Sequence, residues 1–321
     1  MTSRRALLAA PAVALLPWRA RAQSPAWPTQ PVRFIVAYTA GGTIDVTARM
    51  LGEKLAPIWG QQVVVENRTG AGGTVGANSV VRAAPDGHTI LISSAAEVAV
   101  ARLTQKNLPY DPQADLAPIM LIARNPFALV VTPTIPAKNL QELLAYGRGR
   151  QLSYGSSGVG TTTHFGSELF KQRTGLDMEH VPYRGSAALM TDLLAGRIQI
   201  SLDAIPAVLP QISTGAVTPI GVATLTRSPL APNIPTLSEQ GLTGFTAGGW
   251  TGALAPRGTP PAILTKIGDD MRRVMQDGVG KELEARGFEP VASTADAFRT
   301  FITEETQRWT EVAHRAGIEP A

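Results

Sequence analysis

The 321-residue chain contains no cysteine, which excludes disulfide frameworks, thiolate metal centres and cysteine nucleophiles together. Histidine is nearly as scarce: four residues, His88, His164, His180 and His314. They show neither H-x-x-H nor H-E-x-x-H spacing, so no metal site is expected. Aromatic residues make up only 6% of the chain and no Lys/Arg run accompanies them, so no nucleic-acid partner is expected. The apolar run from Ala6 to Leu16 is too short to span a bilayer.

What is present begins with an export signal. Arg4 and Arg5 precede the apolar run, and Ala20-Arg21-Ala22 supplies a small-residue exit, so residues 1–22 read as a secretory signal peptide cleaved after Ala22. Ser3-Arg4-Arg5 fits either a twin-arginine signal or a plain basic n-region. The chain has 29 Lys+Arg against 25 Asp+Glu, but Arg4, Arg5, Arg19 and Arg21 lie in this segment, which holds no acid. The charge excess therefore belongs to the signal. Residues 23–321 exceed what one hydrophobic core usually serves, so two lobes are expected.

Short β-branched runs alternate with amphipathic segments. VRFIVAY (32–38), QVVVEN (62–67) and HTILISS (88–94) read as strands. Between the first two, Val46, Met50, Leu51, Leu55 and Ile58 fall on one helical face. This βαβαβ series predicts a parallel sheet covered by helices. A second series has strands near 152–155, 180–183, 198–202 and 219–224, with helices starting near Asn139, His164 and Ser186. The extended apolar runs 127–132 and 245–254 are candidate crossings. They predict a discontinuous lobe one, 23–126 plus 248–321, and a lobe two over 127–247 with a cleft between.

Three glycine-rich loops could carry chemistry. TAGGTID (39–45) opens a helix, and helix-opening amides suit an anion, although an ordinary strand-to-helix turn explains the loop equally well. TGAGGTVG (69–76) fails the dinucleotide fingerprint because Val75 stands where the third glycine belongs, so close helix–strand packing is expected there. SYGSSGVGTTTHF (153–165) fails as a hydrolase elbow because Val159 replaces the second glycine, and it has no lysine for a phosphate loop. Neither a hydrolase nor a nicotinamide-dependent enzyme is supported. What remains in the third loop is a set of neutral donors able to grip a carboxylate. Such donors take up no proton, so affinity is expected to change little between about pH 6 and 8, and a steep loss across that interval would point to His164 as a charged contact.

Taken in order, TAGGTIDVTARML, VVVENRTGAGGTVGA, APDGHTILI, LPYDP, YGSSGVGTTTH, VPYRGSAALMTDLLAGRI, SLDAIPAVLPQI, RSPLAPNIPTLSEQG and LAPRGTP resemble the Bug-type extracytoplasmic receptors, the substrate-binding proteins of tripartite tricarboxylate transporters. Each motif is modest alone; nine in order, covering nearly all of the chain after the signal, are specific. The resemblance implies an α/β periplasmic-binding-protein fold of type II-like form, two lobes joined by two crossing strands around a ligand cleft. It implies a periplasmic, monomeric, non-catalytic receptor without cofactor, which binds a small-molecule carboxylate and hands it to integral-membrane transporter subunits. A membrane sensor as the reader of the closed form is equally compatible with the sequence.

The resemblance also implies that two loops clasp one ligand carboxylate. The matching positions are Tyr38, Thr39, Ala40, Gly41, Gly42, Thr43 and Asp45 in lobe one, and Ser156, Ser157, Gly158, Gly160, Thr161, Thr162 and His164 in lobe two. Ser94 and Asp203 match positions that line the cleft. Three departures stand out. Ala40 replaces a proline; Ile44, where a small residue is frequent, should narrow or dry the pocket; and Arg102 brings a charge either to the rim or to solvent. Asp45 is double-valued: it caps its helix or receives a ligand amino group.

Overall fold

The computed structural model describes residues 27–320, so the signal segment 1–22 lies outside the described residues. Strands β1 (Val32–Val36), β2 (Val63–Asn67) and β3 (Thr89–Ser93) form a parallel set in the order β2-β1-β3. All five residues of β3, and four of five in β1, are buried, as expected of strands covered on both faces. The helix Thr43–Trp59 packs on this set through Ile44, Ala48, Leu51, Leu55 and Trp59. That face is rotated from the expected one: Val46 and Met50 are half-buried and Ile58 is exposed. Trp59 drives the rotation. Its ring meets Phe34 edge-on and its indole N–H donates to Asp270 at 2.8 Å, burying more apolar area than Ile58 could while satisfying its polar atom.

The two halves are joined by β4 (Leu116–Val131), a sixteen-residue strand. After it come β5 (Leu152–Ser156), β6 (Met178–Pro182), β7 (Ile200–Ala204), β8 (Thr218–Val222), β9 (Gly248–Pro256) and the short β10 (Glu289–Pro290), which pairs with β4. Residues Leu116–Pro126 of β4 pair with β9, and Phe127–Val131 pair with β7 and β8. A second connection runs beside it: Ala247, just before β9, accepts the Phe127 amide and donates to Ala223.

Strand direction then fixes where the loops point. β9 is antiparallel to both β3 and β4, so β3 runs the same way as β4, toward the second half. β7 is antiparallel to β4, and β5 and β6 run parallel to β7, so all three run back toward the first half. The carboxyl ends of the two parallel sets therefore face each other across the crossing. Open α/β sheets place their ligand sites at such carboxyl ends.

Two elements are hidden from a reading of periodicity by their prolines. The first part of β4 contains Pro118 and Pro126, yet it continues as a strand because the register shifts between Pro118 and Met120, and a bulge accommodates a missing donor. The helix Ile205–Ser213 carries Pro206 in its first turn and Pro210 inside, where the sequence signal is for a break. Glycine is required in the middle of β9. A Cβ at Gly252 would stand 2.2 Å from Phe298 Cζ on the helix Ala295–Ala316. Gly252→Ala is expected to lower unfolding free energy by about 1–3 kcal/mol, and Phe298→Leu in that background should recover part of the loss. Strictly additive losses in urea unfolding would contradict this contact.

Candidate functional site

The first loop leaves β1 at Ala37 and enters the helix Thr43–Trp59 without a side-chain cap. The amides of Thr43, Ile44 and Asp45 are therefore the orphan donors of a seventeen-residue helix, at its positive end. Asp45 shapes this loop. Its carboxylate accepts from the Gly41 amide at 2.8 Å, from Arg49 in bidentate fashion at 3.0 Å, and from Asn67 at 2.9 Å. Burial alone would raise its pKa, but the bonds from Arg49, Gly41 and Asn67 outweigh burial and hold it at about 2. Asp45 accepts from no amide of the helix, so it does not cap it; its two oxygens are taken by Gly41, Arg49 and Asn67, which fix the loop. Ile44 is directed into the core with Leu51 and Trp59, so the expected narrowing of the pocket by Ile44 is corrected: the helix turns that side chain away from the loop. Arg102 pairs with Asp111 at the surface.

Tyr38 and Ser94, 56 residues apart, meet at 2.7 Å. Both also bond Glu97, a residue the loop motifs do not include: Oε2 lies 2.7 Å from each hydroxyl and Oε1 accepts the Ser94 amide at 2.8 Å. Glu97 is completely buried. Its spacing from Ser94 is the S-x-x-E of a capping box, which is the sequence signal that could have found it. Behind this group, a Cβ at Gly76 would collide with Ala37 and the Arg68 carbonyl. The second glycine-rich loop thus supports close helix–strand approach.

The second loop follows β5 and opens the helix Thr162–Thr174, capped by Thr161. Its hydroxyls bond one another. Thr161 donates to the Gly158 carbonyl at 2.7 Å, Thr163 lies 2.8 Å from the Ser157 hydroxyl and 2.9 Å from that of Thr161, and the Gly158 amide reaches Ser156 Oγ at 3.2 Å. Ser156 is fully buried and its hydroxyl stands 2.6 Å from His180 Nε2. The expectation that Ser156 presents a free donor is therefore corrected: it sets the loop's shape from beneath. Ser157, Gly158, Thr161 and Thr162 are part-exposed, and helix geometry leaves the Thr162 and Thr163 amides without intrahelical acceptors.

Beneath the loop lies a stack of three rings. His164 and His180 are 4.0 Å apart at 13°, and Tyr154 lies 5.0 Å from His180 on the other side. Tyr154 and His180 are register partners in β5 and β6, so strand pairing makes the stack, and Tyr154 also bonds the buried Glu168. His164 Nδ1 accepts the Gly160 amide at 3.3 Å. Burial lowers both histidines to about 4, with His164 adding to the effect on His180. Both are neutral at pH 7, and each is held by the fold.

Asp203, near the end of β7, is 2% exposed; Oδ1 accepts the Ala204 amide at 2.7 Å and Oδ2 is buried with no hydrogen bond among the described residues. Burial pushes its pKa up, opposed by the nearby Ser186 hydroxyl and the Ala204 amide. The structure thus gathers Tyr38 with Ser94, Gly41 with Asp45, and the residues from Ser156 to His164, in three groups. The second loop approaches the first half through Gly160, where a Cβ would lie 3.2 Å from Thr104. Elsewhere, a cavity of about 360 Å³ beside the crossing strands is lined by Arg124, Asn125, Trp250, Phe301 and Arg308, and by none of these loop residues.

A two-lobed α/β fold with opposed carboxyl-end loops defines the class of periplasmic binding proteins. Residues 47–318 match the model of the tripartite tricarboxylate transporter family receptor, and the chain belongs to that family. It is 35% identical over 295 residues to protein BugT of Bordetella pertussis, covering 91% of this chain and 90% of that one. Among solved structures, it is similar to Rpa4515 of R. palustris with adipate (TM-score 0.83, 36% identity, 92% of this chain and all of that one). It is also similar to MatC from Rhodopseudomonas palustris with bound malate (TM-score 0.78, 31% identity, 89% of this chain and all of that one). No helix among the described residues is long and apolar enough to cross a membrane.

The two stacked histidines give the fold a pH signature. Their folded values near 4 lie below the ordinary value of 6.5, so the folded state binds fewer protons. Stability is full above about pH 6.5 and declines as pH falls toward 4. Between pH 7 and pH 5 the urea midpoint should fall by the equivalent of about 1–3 kcal/mol, and His180→Asn should reduce that fall. An unchanged midpoint across the interval would rule out neutral, buried imidazoles.

Proposed function

We propose that the protein is a periplasmic receptor that closes on a small organic acid and delivers it to the integral-membrane subunits of a tripartite tricarboxylate-type transporter, without catalysing a reaction on it. The observation that carries the reading is the pair of helix starts, Thr43–Asp45 and Thr162–Thr163, set on opposed carboxyl ends with their amides unspent. Each supplies dipolar donors suited to an anion. The serine–imidazole pair beside the second start, Ser156 with His180, is closed off beneath the loop, with Ser156 fully buried. Family membership and the acids held by Rpa4515 and MatC support the same reading.

In this reading lobe one is 23–126 plus 248–321 and lobe two is 127–247, hinged where β4 changes partners near Pro126 and Phe127. The ligand carboxylate sits between the loop Tyr38–Thr43 and the loop Ser157–Thr162. Asp45, Ser156 and His164 hold those loops in shape, and Ser94 and Asp203 border the acid's remaining length. Closure aligns both donor sets on one anion, so binding stabilises the closed population. The chain reaches the periplasm through its signal segment and acts as a monomer.

A thermal-shift screen of mono-, di- and tricarboxylates tests this. An acid at about 100 times its dissociation constant adds roughly 2.7 kcal/mol to native stability, a rise of several degrees, whereas the matching diamide should give none. Ser156→Ala and Thr161→Val should each weaken the best acid about tenfold by loosening the second loop. Absence of any shift across the panel would remove the receptor reading, and full affinity in both variants would remove the second loop from the site.

A further inference from the structure

The group formed by Tyr38, Ser94 and Glu97 has an unusual proton inventory. The three oxygens Tyr38 Oη, Ser94 Oγ and Glu97 Oε2 form a triangle with 2.7 Å sides. If Glu97 is ionised, both hydroxyl protons are directed at its carboxylate and neither is free for a ligand. If Glu97 is protonated, its own O–H supplies the third proton for the three short sides, and the carboxyl no longer needs both hydroxyls as donors. A capping-box glutamate is usually solvated; this one is completely buried and has no cation among its bonded partners.

Among the described residues, no cation is paired with it. Tyr110 donates to the Glu97 backbone carbonyl at 2.7 Å, not to its carboxylate. The loop packed behind it presents Gly73, whose Cβ would lie 3.2 Å from Oε2. The C-terminal helix meets the same segment, at Ala99 and Val100, through Trp309, Val312 and Ala313. Arg102, on the next turn, is paired with Asp111. Arg49 of the helix Thr43–Trp59 is spent on Asp45. Burial raises the Glu97 carboxyl pKa, opposed by the bonds from Tyr38 and Ser94.

We infer that Glu97 takes up a proton when the cleft captures an anion, so that ligand binding is coupled to proton binding at this one side chain. The inference rests on the proposed receptor function, which puts the ligand carboxylate against the loop that begins at Tyr38. Two carboxylates confined to one desolvated site do not both stay ionised, and the ligand's charge is held by amides from both lobes while Glu97 has only hydroxyls and one amide. The neutral donors alone predict affinity flat with pH; Glu97 adds a dependence on top of them. Above the ligand-free pKa of Glu97, affinity falls by up to about tenfold per pH unit.

Isothermal titration of the mature chain with adipate or malate, whichever gives the larger thermal shift, tests this at pH 6.5, 7.5 and 8.5 in buffers of differing ionisation enthalpy. The expected result is an observed enthalpy that varies with the buffer, with about half to one proton taken up per ligand at one or more of these pH values. Glu97→Gln should bind the acid without that uptake and without the loss of affinity at high pH. Glu305→Gln, which neutralises a buried acid on the helix Ala295–Ala316 that borders neither loop, should keep both. Normal binding with a buffer-independent enthalpy at all three pH values overturns the inference and leaves the receptor function standing, and so does uptake that survives Glu97→Gln. Should another acid of the panel bind in place of adipate and malate, it is titrated instead; failure of every acid of the panel to bind removes the receptor reading and the inference together. Should Glu97→Gln not fold, infrared difference spectra of the unsubstituted protein decide: a protonated-carboxyl band gained on binding supports the inference, and its absence overturns it.

Discussion

A single backbone ladder orients everything that the protein offers a ligand. β4 pairs with β9 along its first eleven residues and with β7 and β8 along its last five, and each pairing is antiparallel. Since β3 runs with β4 and β7 against it, the loops after β1 and β3 meet those after β5 and β7 head-on. Hydrogen bonds of the main chain set this arrangement, so it is independent of which side chains occupy the loops. The loops can vary while the opposition of their donors persists. A strand shared by both halves also concentrates any bending where its partners change.

The polar residues of the loops divide into those that shape and those that present. Ser156, Thr163, Asp45 and Glu97 are each less than 5% exposed and hydrogen-bonded within their own neighbourhoods. They fix backbone conformations whose amides are then available. This costs side-chain donors but gives preorganisation: a dipole already aimed needs little rearrangement when the anion arrives. The histidine stack serves the same end, since a neutral imidazole can hold Gly160 or Ser156 without adding a charge to the cleft.

Much of this was legible in the sequence. The alternation of β-branched runs and amphipathic helices gives the parallel sets, and Gly-Gly before Thr43 and the hydroxyl cluster before His164 mark both helix starts. The resemblance of nine ordered motifs gives the receptor family. What was hidden has identifiable causes. Pro118 masks the first part of β4 because the bulge that tolerates it depends on a partner strand far along the chain. Trp59 rather than Ile58 closes its helix because Asp270, 211 residues away, satisfies the indole. Local spacing marks Ser94 and Glu97 as a capping box, but only the fold brings Tyr38 to them and buries the carboxylate.

The convergence of two opposed sets of uncharged donors on one carboxylate is most directly tested by amide chemical shifts. In a titration of isotopically labelled protein with the best-binding acid, the amides of Thr43 and Ile44 and those of Thr162 and Thr163 should move downfield together, at one ligand per chain. Movement of one pair with the other pair unchanged at saturation would contradict a shared anion between the lobes.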